Sequence, residues 1–111
     1  VPRVTIAGGF AKLSKLANGH LDLHSSRTSI ETAALGELLA ALGADSALVA
    51  AARRSVSAAE VLQLSRARRF DLAGAVAKRA REVVLATLSG DVDADVVIFD
   101  RDGAILARTG L

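Results

Sequence analysis

The residues best suited to chemistry fall in one run near the start of the chain, from Gly8 to Ser26. It holds both histidines, two of the three lysines and three of the nine glycines. Gly8-Gly9 follows an apolar run, Val4 to Ala7, that reads as a buried strand, and a helical pattern follows the pair. Strand, glycine pair and helix start form a natural anion site. Backbone N–H groups at a helix start are electropositive, and bare glycines let a ligand approach closely. Lys12 and Lys15 lie one turn apart and add charge to a carboxylate or phosphate site. A tight turn with two solvated lysines explains the same residues. The pair also lacks the Gly-Lys-Ser/Thr ending of a phosphate loop.

The second group is His20-Leu21-Asp22-Leu23-His24, which alternates strictly. If extended, it puts both leucines on one face and His20, Asp22 and His24 on the other. If helical, His20 and His24 still share a face. Three readings fit: a polar cluster facing a ligand, an acid/base pair, or ordinary polar residues of a loop. A zinc site would need Asp22 and a fourth ligand from elsewhere, because the chain has only two imidazoles. Ser25, Ser26 and Arg27 extend the cluster or simply enter the next helix.

These groups must be held by a small set of elements. The pattern gives a strand at Val4–Ala7 and an amphipathic helix at Phe10–Ala17, ended by Asn18-Gly19. Thr28 or Ser29 caps a helix running to about Leu42, with Ile30, Ala33, Ala34, Leu38 and Ala41 as its apolar side and Gly43 as its stop. Asp45–Ala52 reads as a short helix. Ser57-Ala58-Ala59-Glu60 has capping-box spacing, so a helix runs from Ala58 to about Ala67. Asp71 caps or begins the last helix, which continues to about Leu88 with Leu72, Val76, Val83 and Thr87 on its buried face. Ala94–Phe99 is a strand, Asp100–Gly103 a turn, and Ala104–Arg108 a returning strand. The expected fold is α/β: a small sheet formed by the N-terminal strand and a C-terminal hairpin, covered by about five helices.

The 111 residues bound this to a single domain, 1–111, with one core. The net charge of +2 is too small to demand nucleic acid, but it suits a partner bearing carboxylates or phosphates. Absence of cysteine excludes disulfides and thiolate metal sites. No uninterrupted apolar stretch is long enough to span a bilayer, and no secretory leader is visible. The sequence lacks an initiator Met and enters a strand almost at once, so it reads as a fragment of a longer protein.

Arginines cluster at Arg53-Arg54, Arg66, Arg68-Arg69 and, with Lys78, at Arg79 and Arg81. They read as solvated faces, since Phe10, Phe70 and Phe99 are the only aromatics available for stacking. A non-enzymatic anion- or RNA-binding module built on them is the alternative function. A purely structural domain docking through apolar helix faces is a third. Val97-Ile98-Phe99-Asp100-Arg101-Asp102-Gly103 looks like the nucleophile motif of haloacid-dehalogenase-type phosphatases. That motif needs a doubly wound domain after it, and a hairpin turn explains the same residues.

Residues 4–17, VTIAGGFAKLSKLA, and 19–25, GHLDLHS, resemble the CbiD family, the cobalt-precorrin-5B C(1)-methyltransferases of cobalamin biosynthesis. The family pattern there is a strand, a Gly-x-x-x-Lys-Leu-x-Lys-Leu helix, then Gly-His/Phe-x-x-x-His-Ser. The resemblance continues to the final hairpin, and it is to the C-terminal part of a longer protein. It implies a cytoplasmic transferase step in which a methyl group passes from S-adenosylmethionine to C-1 of a cobalt-precorrin macrocycle. The macrocycle carries its own cobalt, so no protein-bound metal is expected. By this resemblance Gly8, Gly9, Lys12, Lys15, Asp22 and Ser25 bind substrate or cofactor, and His20 and His24 are the catalytic candidates. The remainder of the parent chain would complete the cleft, with neither nucleic acid nor membrane as partner.

Overall fold

The computed structural model describes residues 2–18, 28–88 and 90–109, the side chains of 28–30 excepted. Strand β1 (Arg3–Gly9) leads into helix α1 (Phe10–Ala17). Helices α2 (Thr28–Ala41), α3 (Ser46–Arg53), α4 (Ala58–Ala67) and α5 (Leu72–Thr87) follow. Strands β2 (Asp93–Phe99) and β3 (Ile105–Arg108) close the chain. The sheet has the order β1-β2-β3. β1 pairs parallel to β2, from Arg3 opposite Asp93 to Gly9 opposite Phe99. β3 returns antiparallel on β2 with an irregularity between Ile98 and Phe99. The α/β architecture expected from the sequence is therefore present, with its sheet built from the two ends of the chain.

Local chemistry explains most helix starts. The Asp45 carboxylate accepts from the Leu48 amide at 2.8 Å, Ser57 Oγ from the Glu60 amide at 3.2 Å, and Asp71 Oδ1 from the Gly74 amide at 3.0 Å. Each satisfies one orphan donor of a first turn. Gly43 ends α2 with a φ of +97°, a conformation that side chains disfavour.

The core lies between the helices and one face of the sheet. Leu13, Leu35, Leu39, Val61, Leu72, Val76, Val96 and Ile98 are fully buried there. Side chains alternate along β2, so Asp95 points the other way from Val96. Asp95 is buried on its own face, where its carboxylate accepts from Thr109 Oγ1 at 3.0 Å and Arg108 Nε at 3.4 Å.

β1, read as a buried strand, lies at the edge of the sheet and is mostly exposed, and two helix faces also differ from the sequence reading. In α2 the structure buries Glu31, Thr32, Leu35, Gly36 and Leu39, while Ala33, Ala34 and Leu38 are half-buried and Ala41 is exposed. Apolar residues run almost evenly around this helix, so periodicity did not select its inner face. In α5 the inner stripe is Leu72, Ala73, Val76, Ala77, Ala80 and Val84. Val83 is half-buried and Thr87 is exposed. Leu72 and Val76 are buried as expected, and further along the helix the stripe follows Ala80 and Val84 rather than Val83 and Thr87.

A charged clasp ties the amino ends of β1 and β2 to α5. Arg3 and Arg81 each hold one oxygen of Asp93, at 2.9 and 2.8 Å, and Arg81 Nε donates to the Ala94 carbonyl at 2.7 Å. The Ala94 amide, then Arg3 and Arg81, hold the Asp93 carboxyl below its ordinary value of 3.8. A carboxylate with a depressed folded value stabilises the fold above the unfolded value. That contribution disappears as pH falls through the folded value. Urea midpoints measured across this acid range should fall less steeply for Asp93→Asn than for the wild type. Equal slopes would mean the clasp is not coupled to folding.

The two glycines at the β1–α1 junction have different physical roles. A Cβ on Gly8 would lie 2.9 Å from Leu13 Cδ2, inside the core. A Cβ on Gly9 would meet nothing within 4 Å, and the backbone there (φ −75°, ψ 166°) suits any residue. Gly8→Ala should therefore cost about 1–3 kcal/mol through overpacking. Gly9→Ala should leave stability unchanged or raise it by up to about 1 kcal/mol. Denaturant unfolding of both variants checks the contrast, and equal losses would refute it.

Candidate functional site

A cleft of about 640 Å³ opens at the carboxyl ends of β1 and β2. In open α/β sheets this is where ligands bind. Three elements form most of its walls, with Leu106 of β3 beside them. Gly9, Phe10 and Lys12 come from the start of α1, and Glu60, Gln63 and Arg66 from α4. Phe99, Asp100, Arg101 and Asp102 come from the end of β2 and its turn. Phe10 and Leu62 are buried behind the surface, while Lys12, Glu60, Arg66, Arg101 and Asp102 are exposed.

The sequence dictates this placement locally. β1 ends at the glycine pair, where Gly8 lets Leu13 of α1 pack closely against the strand, and this sets Lys12 on the first turn at the cleft. Glu60, Gln63 and Arg66 recur every third residue, so they form one polar stripe along α4. The Asp100 carboxylate accepts from the amides of Asp102 and Ala104 at 2.8 and 2.9 Å, and this fixes the hairpin turn. With that carboxylate engaged, the turn presents Arg101 and Asp102.

The start of α1 differs from those of α3, α4 and α5. Its N-cap is Gly9, which provides no side-chain cap, and like α3 and α5 it has no acidic residue in its first turn. Its leading amides therefore keep their partial positive charge toward the cleft. Lys12, Arg66 and Arg101 make no ion pair with a described residue. Arg68, by contrast, pairs with Asp45 at 3.0 Å, and the stem of Arg53 lies against Gly36. Part of the arginine content is thus committed to holding helices in place.

The residues singled out in the sequence separate into three sets. Gly9 and Lys12 line the cleft. Gly8 sits against Leu13, away from the lining. Lys15 turns toward α2, with Nζ 3.8 Å from Glu31, whose side chain is only 7% exposed. His20, Asp22, His24 and Ser25 lie outside the described residues. Near them in sequence, Ser14 Oγ, Asn18 Nδ2 and Glu31 Oε1 are buried without a hydrogen-bond partner among the described residues. The α4 stripe and Arg101 were not recognised as site residues. The three-residue spacing of Glu60, Gln63 and Arg66 was the available signal.

No described helix is long and apolar enough to cross a membrane. Among the described residues, no group of three or more His, Cys, Asp or Glu is arranged to hold a metal ion.

Comparison with known proteins gives the family. The profile for "CbiD, C-terminal domain" matches residues 22–110. The cobalt-precorrin-5B C(1)-methyltransferase of Paramagnetospirillum magneticum is 48% identical over 107 residues, covering 96% of this chain and 29% of that protein. The enzyme of the same name from Rhodospirillum rubrum is 48% identical over 111 residues, covering 99% of this chain and 31% of that protein. That of Methylorubrum extorquens is 45% identical over 108 residues, covering 96% and 30%. The chain thus spans under a third of the length of these curated relatives. No solved structure matches it. With its glycine pair, its helices and its closing hairpin all inside the aligned region, the chain belongs to the CbiD family and corresponds to that family's C-terminal domain.

Proposed function

We propose that this chain is one wall of the catalytic cleft of an S-adenosylmethionine-dependent methyltransferase that methylates C-1 of cobalt-precorrin-5B in cobalamin biosynthesis. The observation that carries the reading is the cleft at the carboxyl ends of β1 and β2, in a chain whose relatives bear that name. The relatives are some threefold longer, so their remaining part supplies the other walls and is the first partner of this domain.

The donor group fits what the chain offers. Open space above Gly9 leaves room for a ligand against bare backbone, and Lys12 lies beside it. When bound, S-adenosylmethionine supplies an electrophilic methyl on a sulfonium. The chain's contribution is alignment. The α1 amides and Lys12 hold a carboxylate, while Phe10, Leu62 and Leu106 exclude water from one side. His20, His24, Asp22 and Ser25 belong to the same reading, the imidazoles orienting the macrocycle or handling a proton. Lys15 supports it indirectly, through its place against Glu31.

Methyl transfer needs both reactants aligned, and one wall does not achieve that. The 111-residue chain alone should therefore show no C-1 methylation, whereas a parent-length enzyme carrying this domain is active. In that enzyme Lys12→Ala should lower kcat/KM by about tenfold or more without moving the thermal midpoint. Robust methylation by the isolated chain, or an unaffected Lys12 variant, would overturn the assignment.

A further inference from the structure

The charge pattern of the cleft says which reactant it takes, provided that it is a ligand site as proposed above. We infer that it holds the methyl donor rather than the polycarboxylate macrocycle. Three cations line it, Lys12, Arg66 and Arg101, and three carboxylates stand among them, Glu60, Asp100 and Asp102. Formal charge at the cleft is therefore balanced. A pocket for a ligand bearing many acetates and propionates gains from unopposed cations, and it loses with every carboxylate left in its path.

The carboxylates are not there merely to neutralise the arginines. Asp100 is engaged by two backbone amides of its own turn. Glu60 and Asp102 form no ion pair with a described residue, and neither do Lys12, Arg66 and Arg101. Elsewhere in the fold Arg3, Arg68, Arg81 and Arg108 do find aspartates. Both signs of charge thus stand available in one recess, on elements that face each other. Such a recess recognises a ligand that itself carries both signs. S-adenosylmethionine has a carboxylate, an ammonium and a sulfonium, whereas the macrocycle's periphery is anionic. Lys12, with Arg66 or Arg101, takes the donor's carboxylate. Glu60 and Asp102 face its cationic groups and favour the charged donor over its neutral-sulfur product.

Calorimetry on the parent-length enzyme carrying this domain tests this with three probes: S-adenosylmethionine, S-adenosylhomocysteine and uroporphyrin, a polycarboxylic porphyrin. The expected result is saturable binding of the donor, tighter than that of S-adenosylhomocysteine. Neutralising both acids, as Glu60→Gln with Asp102→Asn, should weaken the donor about tenfold, erase its advantage over S-adenosylhomocysteine and leave uroporphyrin affinity unchanged. The variant's thermal midpoint shows that it remains folded. Uroporphyrin binding that tightens in the variant, with donor binding unchanged, would overturn the inference and leave the cleft as a ligand site. Unchanged binding of all three probes in the variant would overturn the ligand cleft itself, and the inference with it.

Discussion

Parallel pairing of β1 with β2 is the constraint on which the rest of the structure depends. Parallel strands cannot be joined by a tight hairpin. The chain must leave the carboxyl end of one and travel back to the amino end of the other. Here that return contains the five described helices. The pairing makes the two ends of the sheet unlike. At the amino end Arg3, Asp93 and Arg81 lock the strands to α5. At the carboxyl end Gly9 stands opposite Phe99, so the start of α1 and the β2–β3 turn emerge side by side. The cleft lies where these two exits diverge and α4 closes one side.

Much of this was legible because individual residues signal local geometry. Ser57 and Glu60 marked the start of α4, and the Ser57 hydroxyl does receive the Glu60 amide. Asp45 and Asp71 opened two further helical patterns, and both prove to be N-caps, so α3 starts one residue later than the pattern suggested. The inner face of α2 was not legible, because a helix apolar on all sides carries no directional message. Its orientation is decided by tertiary contacts, including the approach of Arg53 to Gly36. The cleft was only half legible for a related reason. Gly9 and Lys12 are close in sequence and announce themselves. Arg66 and Arg101 are brought to them only by the crossover, and locally each reads as a solvated charge at a helix end or a turn.

The β1–α1 junction shows how neighbouring residues of one type divide the work. Gly8 is small because Leu13 of the core occupies the space a side chain needs. Nothing in the packing or backbone requires Gly9 to be small. Its bareness leaves open space against the backbone at the cleft. Lys12 and Lys15 divide in the same way. Three residues apart, they share one helix flank, yet Lys12 reaches the cleft while Lys15 leans on buried Glu31. A buried carboxylate beside a half-buried ammonium is a structural requirement, since an isolated charge there would be costly. Lys12, exposed at the cleft, has no such obligation.

The Asp100–Gly103 segment resembles a phosphatase nucleophile motif in sequence, and in the structure it is the turn of the β2–β3 hairpin. One oxygen of the Asp100 carboxylate, Oδ1, accepts from two amides of its own turn, and Gly103 takes the positive φ of 86° that closes it. These hydrogen bonds make Asp100 a brace for the turn. By fixing the turn it holds Arg101 and Asp102 at the rim of the cleft, opposite the stripe of α4. The hairpin turn thereby sets part of the charge that the cleft presents at its rim.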